Sequence, residues 1–91
     1  MSADWQFDTT TSEAELKIFR HRMWAITDFA IKRDLYKMYK TLDDQLQQIL
    51  REQARCNLAG RQSSNHKNLV TAFNEQRETF IDYMTFGMLS T

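Results

Sequence analysis

The amino-acid sequence predicts an all-α fold, either an antiparallel helical hairpin or a three-helix bundle, with an extended N-terminal arm. Two observations support this prediction. The 91 residues contain no Pro and only two Gly, so long stretches lack the residues that usually end a helix. Apolar residues also recur every three or four positions, a spacing that places them on one face of a helix. We therefore expect two long helical segments and no β-sheet.

Residues 1–11 are predicted to form the extended arm, because the stretch DTTT near its end is β-branched and polar and suits a helix poorly. The stretch SEAE that follows has the form of a capping box. In such a box, Ser12 and Glu15 would each accept a hydrogen bond from the other's backbone amide. A single helical domain is therefore expected over residues 12–91.

A long helical segment is predicted over residues 12–59, because no Gly or Pro interrupts it before Gly60. Its apolar residues form two stripes, which are rotated by roughly 120° from each other at 100° per residue. The first stripe comprises Leu16, Phe19, Met23, Ile26 and Ala30, and the second comprises Trp24, Ile31, Leu35, Met38, Leu42, Leu46, Ile49 and Cys56. Either one helix carries two apolar faces, or the chain breaks, with residues 32–34 and Thr41 as the candidate positions.

Residues 60–64 are predicted to form a loop in which Gly60 takes the left-handed conformation after the helix end. A second amphipathic helix is predicted over residues 65–88, with its apolar side facing the 35–56 part of the second stripe. That side is formed by Leu69, Val70, Phe73, Phe80, Tyr83, Met84, Gly87 and Met88. Phe86 and Leu89 fall on the otherwise polar side. This pattern indicates either local collapse over the bundle end or, as the favoured interpretation, a C-terminal tip that docks onto a partner.

The composition limits the classes of function. Twelve basic and twelve acidic residues give zero net charge, so the total charge does not indicate bulk nucleic acid or an anionic membrane as a partner. The single cysteine suits a reducing compartment, and the first residues lack the basic and apolar regions of a signal peptide. No apolar run reaches the roughly 18 residues of a membrane span. We expect a soluble protein that is intracellular (cytoplasmic) or lies within a macromolecular particle.

No residue pattern typical of catalysis, metal binding or phosphate binding is present, so the sequence predicts no catalytic residue, no metal site and no cofactor. His21 and His66 have no metal-ligand spacing with Cys56 or with an acidic cluster, and both histidines are expected at the surface. Cys56 continues the second stripe and is expected to be a small buried apolar residue. The protein is therefore predicted not to be an enzyme.

The favoured hypothesis is a non-enzymatic helical structural or adaptor subunit of a larger oligomeric assembly, for which a virus or phage particle is one suitable setting. Its partner, another protein or copies of itself, would be bound by the N-terminal arm, the apolar stripe at residues 16–30 and the C-terminal tip. The expected contact residues are Trp5, Phe7, Leu16, Phe19, Met23, Phe86 and Leu89. In an extended arm, both aromatic residues would lie on one side, because they are two positions apart.

The alternative hypothesis is a small helical nucleic-acid-binding or regulatory protein. Residues 17–40 carry a local excess of basic residues with aromatic residues between them, a composition that suits phosphate contacts. The basic residues are Lys17, Arg20, Arg22, Lys32, Arg33, Lys37 and Lys40. On a helical wheel they spread over more than half of the circumference, which is typical of solvated helix sides. Nucleic acid is therefore the less favoured partner, and no membrane partner is expected.

Overall fold

Three α-helices joined by two short turns make up the fold. The computed structural model of the protein describes residues 7–89, in which α1 (Thr9–Trp24), α2 (Phe29–Ala59) and α3 (Ser64–Leu89) follow one another. No strand occurs between residues 7 and 89. The all-α prediction is confirmed, in its three-helix form. The third helix begins one residue earlier and ends one residue later than predicted.

The first helix begins at Thr9 and not at residue 12, because Asp8 caps it. The Asp8 carboxylate accepts hydrogen bonds from the Thr11 amide at 2.9 Å and from the Thr11 hydroxyl at 2.7 Å. Ser12 lies inside the first turn and donates its hydroxyl to the Asp8 carbonyl at 3.0 Å. The predicted capping box is therefore wrong. An aspartate at the N-cap satisfies the first amides, so the helix includes threonines that were assigned to the arm.

The break in the long helical segment lies at residues 25–28 and not at residues 32–34 or at Thr41. Asp28 caps α2 through a carboxylate oxygen that accepts a hydrogen bond from the Ile31 amide at 3.1 Å. Thr41 stays within α2, where its hydroxyl donates to a carbonyl one turn earlier at 3.2 Å. The turn also explains why the two predicted stripes are rotated relative to each other, because each belongs largely to a separate helix.

Both α1 and α3 pack antiparallel to α2, so α1 and α3 run parallel to each other. Two contacts set their register. The rings of Phe19 and Phe80 pack with their centroids 5.0 Å apart, and Arg77 donates two hydrogen bonds to the Glu15 carboxylate. The Glu15 hydrogen bonds raise the pKa of Arg77. The described residues span 47 × 19 × 16 Å, and the longest dimension matches the length of α2 at about 1.5 Å per residue.

The core lies between the three helices and receives side chains from each of them. Its buried members are Leu16, Phe19, Met23, Ile26, Ile31, Leu35, Leu42, Leu46, Ile49, Phe73, Phe80 and Met84. Cys56 is also buried, as predicted, and is a free cysteine. Three members of the predicted apolar faces are exposed instead, namely Trp24, Ala30 and Met88.

The prediction that Leu16, Phe19 and Met23 bind a partner is contradicted by their burial in the core of the same chain. Their side chains are 4%, 4% and 0% exposed. The reason is the turn at residues 25–28, which folds α1 back along α2 and covers the stripe at residues 16–30 within the molecule. A single unbroken helix would have left this stripe uncovered.

Two glycines stand where a side chain would be unfavourable, Gly60 because of its backbone conformation and Gly87 because of lack of space. Gly60 ends α2 with φ 73°, a left-handed conformation that glycine adopts without steric cost. The amides of Gly60 and Arg61 both donate to the Cys56 carbonyl, at 2.8 and 3.2 Å, which confirms the predicted helix end. At Gly87, an added Cβ would lie 2.7 Å from a methyl carbon of Ile31. The end of α3 therefore packs closely against the start of α2.

Candidate functional site

Large apolar side chains are exposed mainly at one end of the bundle, where α1 ends, α2 begins and α3 ends. Gly87 of α3 packs there against Ile26 and Ile31. Of the eight large apolar side chains exposed between residues 7 and 89, six belong to this region, which we call the aromatic end: Trp24, Phe29, Tyr36, Phe86, Met88 and Leu89. The other two are Ile18 and Leu58. Exposed apolar surface is thus concentrated and not scattered.

An open cleft of about 380 Å³ lies between α1 and α2 at the aromatic end. We call this cleft the cationic cleft. Besides Met23, its lining consists of three aromatic and three cationic side chains, namely Trp24, Phe29, Tyr36, Arg20, Lys32 and Arg33. No carboxylate belongs to this lining within the described part of the chain. The cleft therefore combines apolar surface with positive charge.

Two cations of this region lie over aromatic rings. The Lys32 ammonium lies 5.3 Å from the centroid of the Trp24 ring, and the Lys40 ammonium lies 6.0 Å from that of Tyr36. Such contacts stabilise a cation by about 0.5–1 kcal/mol at exposed sites. Arg33 is 3.8 Å from the carboxylate of Asp34, but both side chains are largely exposed, so this ion pair contributes little.

The structure brings together only part of the predicted basic set. Arg20, Lys32 and Arg33 line the cationic cleft, and Lys40 contacts an aromatic ring beside it. The remaining three, Lys17, Arg22 and Lys37, are exposed but do not line the cleft. The predicted basic region therefore separates into a cleft and several solvated side chains.

The predicted C-terminal tip is exposed at the aromatic end. Phe86 and Leu89 are 59% and 83% exposed. The Phe86 ring contacts Tyr83 edge-on, with centroids 6.2 Å apart, and the Tyr83 hydroxyl donates to Asp34 at 3.1 Å. This hydrogen bond raises the pKa of Tyr83. The tip therefore lies next to a contact between α2 and α3 that the Tyr83–Asp34 hydrogen bond fixes.

The opposite end of the bundle contains a buried polar network that the sequence reasoning missed. His66 is fully buried; its Nε2 lies 3.2 Å from Oε1 of Gln53, and its Nδ1 lies 3.0 Å from Nε2 of Gln62. A glutamine amide nitrogen can only donate, so Nδ1 accepts and the proton lies on Nε2. Burial lowers the pKa of His66, and the charge of Glu52 opposes this effect. The expectation of a surface His66 is wrong, whereas His21 is exposed as predicted.

Gln53 also holds the residue that precedes the cap of α1. Its side chain accepts from the Phe7 amide at 3.0 Å and donates to the Phe7 carbonyl at 3.2 Å. The Phe7 ring packs edge-on against Phe73, with centroids 5.6 Å apart. Phe7 therefore contacts its own bundle while remaining partly exposed, and its predicted role as a partner contact stays a prediction. Trp5 lies outside the described residues.

Ser63 connects the turn between α2 and α3 to this network. Its hydroxyl accepts from the His66 amide at 3.0 Å and donates to Glu52 at 2.9 Å. The thiol of Cys56 lies 3.8 Å from the same hydroxyl. Ser63 thus acts as the N-cap of α3.

Comparisons of the chain with protein-family models, with curated proteins and with solved structures found no match. Between residues 7 and 89, no group of three or more His, Cys, Asp or Glu residues is placed to hold a metal ion. Over the same residues, no helix has both the length and the apolar character needed to cross a membrane. The aromatic end and the cationic cleft are therefore the features on which a function can be argued.

Proposed function

We propose that the protein is a non-enzymatic helical structural or adaptor subunit, which binds another protein chain through its aromatic end. The observation that carries this proposal is that, of the eight large apolar side chains exposed between residues 7 and 89, six lie at that end. Clustered aromatic and aliphatic side chains with charged residues beside them are typical of protein–protein interfaces. A larger oligomeric assembly, such as a virus or phage particle, is a setting in which such a subunit would act.

The non-enzymatic part of the proposal is supported by the bonds that the buried polar side chains make. His66 is held between Gln53 and Gln62, and Ser63 bonds both Glu52 and the backbone of α3. Each of these bonds fixes a turn or the chain before α1, so a stabilising role accounts for them.

The test is the native mass of the protein, alone and in its native extract, for the wild type and for the double variant Phe29→Ser/Phe86→Ser. The two side chains are 82% and 59% exposed, so their loss should change the free energy of unfolding little. We expect the double variant to lose association with its partner chain. Leu58→Ser is the matched control, because Leu58 is 92% exposed but lies near the other end of α2. A wild-type protein that is monomeric in the extract, with a mass that the double variant leaves unchanged, would contradict the proposal.

A second candidate function is the binding of single-stranded nucleic acid in the cationic cleft. It is favoured by one observation, the placement of Arg20, Lys32 and Arg33 among exposed aromatic side chains, because cations and stacking platforms together bind unpaired bases. Fluorescence anisotropy with a labelled oligonucleotide tests it. Binding that weakens steeply as salt rises, and that Arg20→Glu/Arg33→Glu abolishes, would support it. No binding at low salt would exclude it.

A further inference from the structure

The cationic cleft selects the chemistry of its occupant. Among the residues that the structure describes, its lining carries three positive charges and no carboxylate, and its aromatic side chains are exposed. An occupant that neutralises these three positive charges must be negatively charged. An occupant that covers Trp24, Phe29 and Tyr36 must also present apolar or aromatic surface. A carboxylate beside an aromatic ring satisfies both conditions.

The chain itself contains such a pair. Asp4 and Trp5 are adjacent in sequence and lie just before Phe7, outside the described residues. An indole is the aromatic ring that guanidinium and ammonium groups contact most favourably, and a carboxylate can pair with the arginines on either side of the cleft. We propose that the cationic cleft of one copy of the protein binds the Asp4–Trp5 segment of a second copy. This inference rests on the proposed function and names the partner.

The occupant is assigned to a second copy, because the segment cannot reach the aromatic side chains that line the cleft of its own chain. Gln53 holds the Phe7 backbone through two hydrogen bonds. Trp5 precedes Phe7 by two residues and Asp4 precedes it by three, which span at most about 7 Å and about 11 Å. Tyr36, the cleft residue nearest to Gln53 along α2, is 17 positions away, or about 25 Å at 1.5 Å per residue. Side chains do not bridge this difference. Arg20, 11 residues after Thr9 or about 17 Å along α1, is the cleft residue nearest to the start of α1, and an extended segment of the same chain would meet only this residue at the edge of the cleft.

A closed dimer satisfies this geometry on both sides. Phe7, which follows the segment in sequence, is held near one end of the bundle, whereas the cleft lies at the other end. Two copies that lie side by side and antiparallel, related by a two-fold axis, place each segment beside the partner's cleft. The two contacts are then equivalent, and the assembly closes as a dimer instead of growing into a filament.

The test is a charge exchange, measured as the dimer dissociation constant by sedimentation equilibrium. We expect a dimeric wild type. Asp4→Lys alone, and Arg20→Glu/Arg33→Glu alone, should each raise the dissociation constant roughly tenfold or more, because two equivalent contacts are lost. Combining the three substitutions should restore dimerisation, since the charges are again opposite. The control Arg51→Glu/Arg61→Glu makes the same change in net charge at exposed arginines outside the cleft lining, and it should leave the dimer intact.

Several results would overturn the inference. These are a monomeric wild type at about 100 μM, no effect of Asp4→Lys, or no restoration in the combined variant. Asp4→Lys keeps the test decisive if the arginine variant folds poorly, because position 4 precedes the helices. If Asp4→Lys has no effect while Phe29→Ser/Phe86→Ser still loses a partner, this inference fails and the proposed function stands. Oligonucleotide binding by a monomer through Arg20 and Arg33 would assign the cleft to nucleic acid.

Discussion

The two ends of the bundle are completed in different ways. At the end that contains the α2–α3 turn, hydrogen bonds close the structure: His66 lies between Gln53 and Gln62, and Gln53 also holds the Phe7 backbone. At the aromatic end, Gly87 lets α3 approach Ile31 through apolar contact, and large apolar side chains remain exposed around it.

This difference indicates which end is available to a partner. A buried polar network must find its hydrogen-bond partners within the chain, since an unpaired buried group is costly. Exposed apolar surface gains stability when another surface covers it, at roughly 25 cal/mol per Å². The end that contains the α2–α3 turn, which we call the polar end, thus has its hydrogen bonds satisfied within the chain. The aromatic end would gain stability from a partner.

The largest expected difference between the two ends is the loss of stability when one of two phenylalanines of α3 is replaced. Phe73 is 1% exposed and lies in the core beside Phe7, whereas Phe86 is 59% exposed at the aromatic end. Phe73→Ala should lower the free energy of unfolding by about 3–5 kcal/mol, because it leaves a cavity. Phe86→Ala should lower it by less than about 1 kcal/mol. Chemical denaturation of the isolated chain measures both values.

If the two substitutions cost the same, the contrast between the ends would be lost. A large cost at Phe86 would mean that its ring is a core element and not an available surface. The same denaturation curves, recorded at two protein concentrations, separate folding from association, because only association depends on concentration.

Much of the fold was predictable from the sequence. The stripe from Ile31 to Cys56 and the end of α2 at Gly60 were correct, because apolar spacing and a left-handed glycine are local signals. The turn at residues 25–28 was missed. Thr27 and Asp28 mark it, since both residues favour caps and turns over helix interiors, and the apolar stripe changes its phase there. That phase change was instead interpreted as two apolar faces of one helix or as a break at residues 32–34 or Thr41.

The candidate site was predictable only in part. Phe86 and Leu89 were recognised because they break the amphipathic pattern of α3. The grouping of Arg20 with Lys32 depends on the turn that folds α1 back, so the linear sequence could not show it. His66 precedes Phe73 by one heptad, and Gln53 follows Leu46 by one heptad. Polar residues at core positions are therefore the signal that would have located the buried network.

A medium effect on the free energy of unfolding is expected when hydrogen bonds at the polar end are removed. Gln53→Ala removes the acceptor shared by the Phe7 amide and His66 Nε2, and both buried donors lose this bond. The free energy of unfolding should fall by about 1–3 kcal/mol. Gln47→Ala, at an exposed position of the same helix, is the matched control and should change it by no more than about 0.5 kcal/mol.

Hydrogen exchange would locate the effect of Gln53→Ala. The Phe7 amide should exchange faster in this variant and remain unchanged in Gln47→Ala. Equal losses of stability in the two variants would mean that the network does not close this end.

The smallest effect is the pH dependence that His66 confers. Burial lowers its pKa below the ordinary 6.5 in the folded state. Between the folded-state pKa and pH 6.5, the unfolded chain therefore binds more protons than the folded chain. The free energy of unfolding should therefore keep its full value above pH 6.5 and fall as the pH drops through 6.5 toward the folded pKa. Glu52, which lies on α2 beside the network, raises the pKa and limits the loss.

A second group titrates in a separate range and supplies the internal reference. The hydrogen bonds from Thr11 lower the pKa of Asp8 below 3.8, so the stability from this cap is present above pH 3.8 and is lost only at more acidic pH. Urea denaturation from pH 8 to pH 3 should thus show a slope below pH 6.5 that His66→Gln removes and Asp8→Asn retains. If His66→Gln keeps that slope, another group controls stability there, and the polar end is not closed by a neutral histidine.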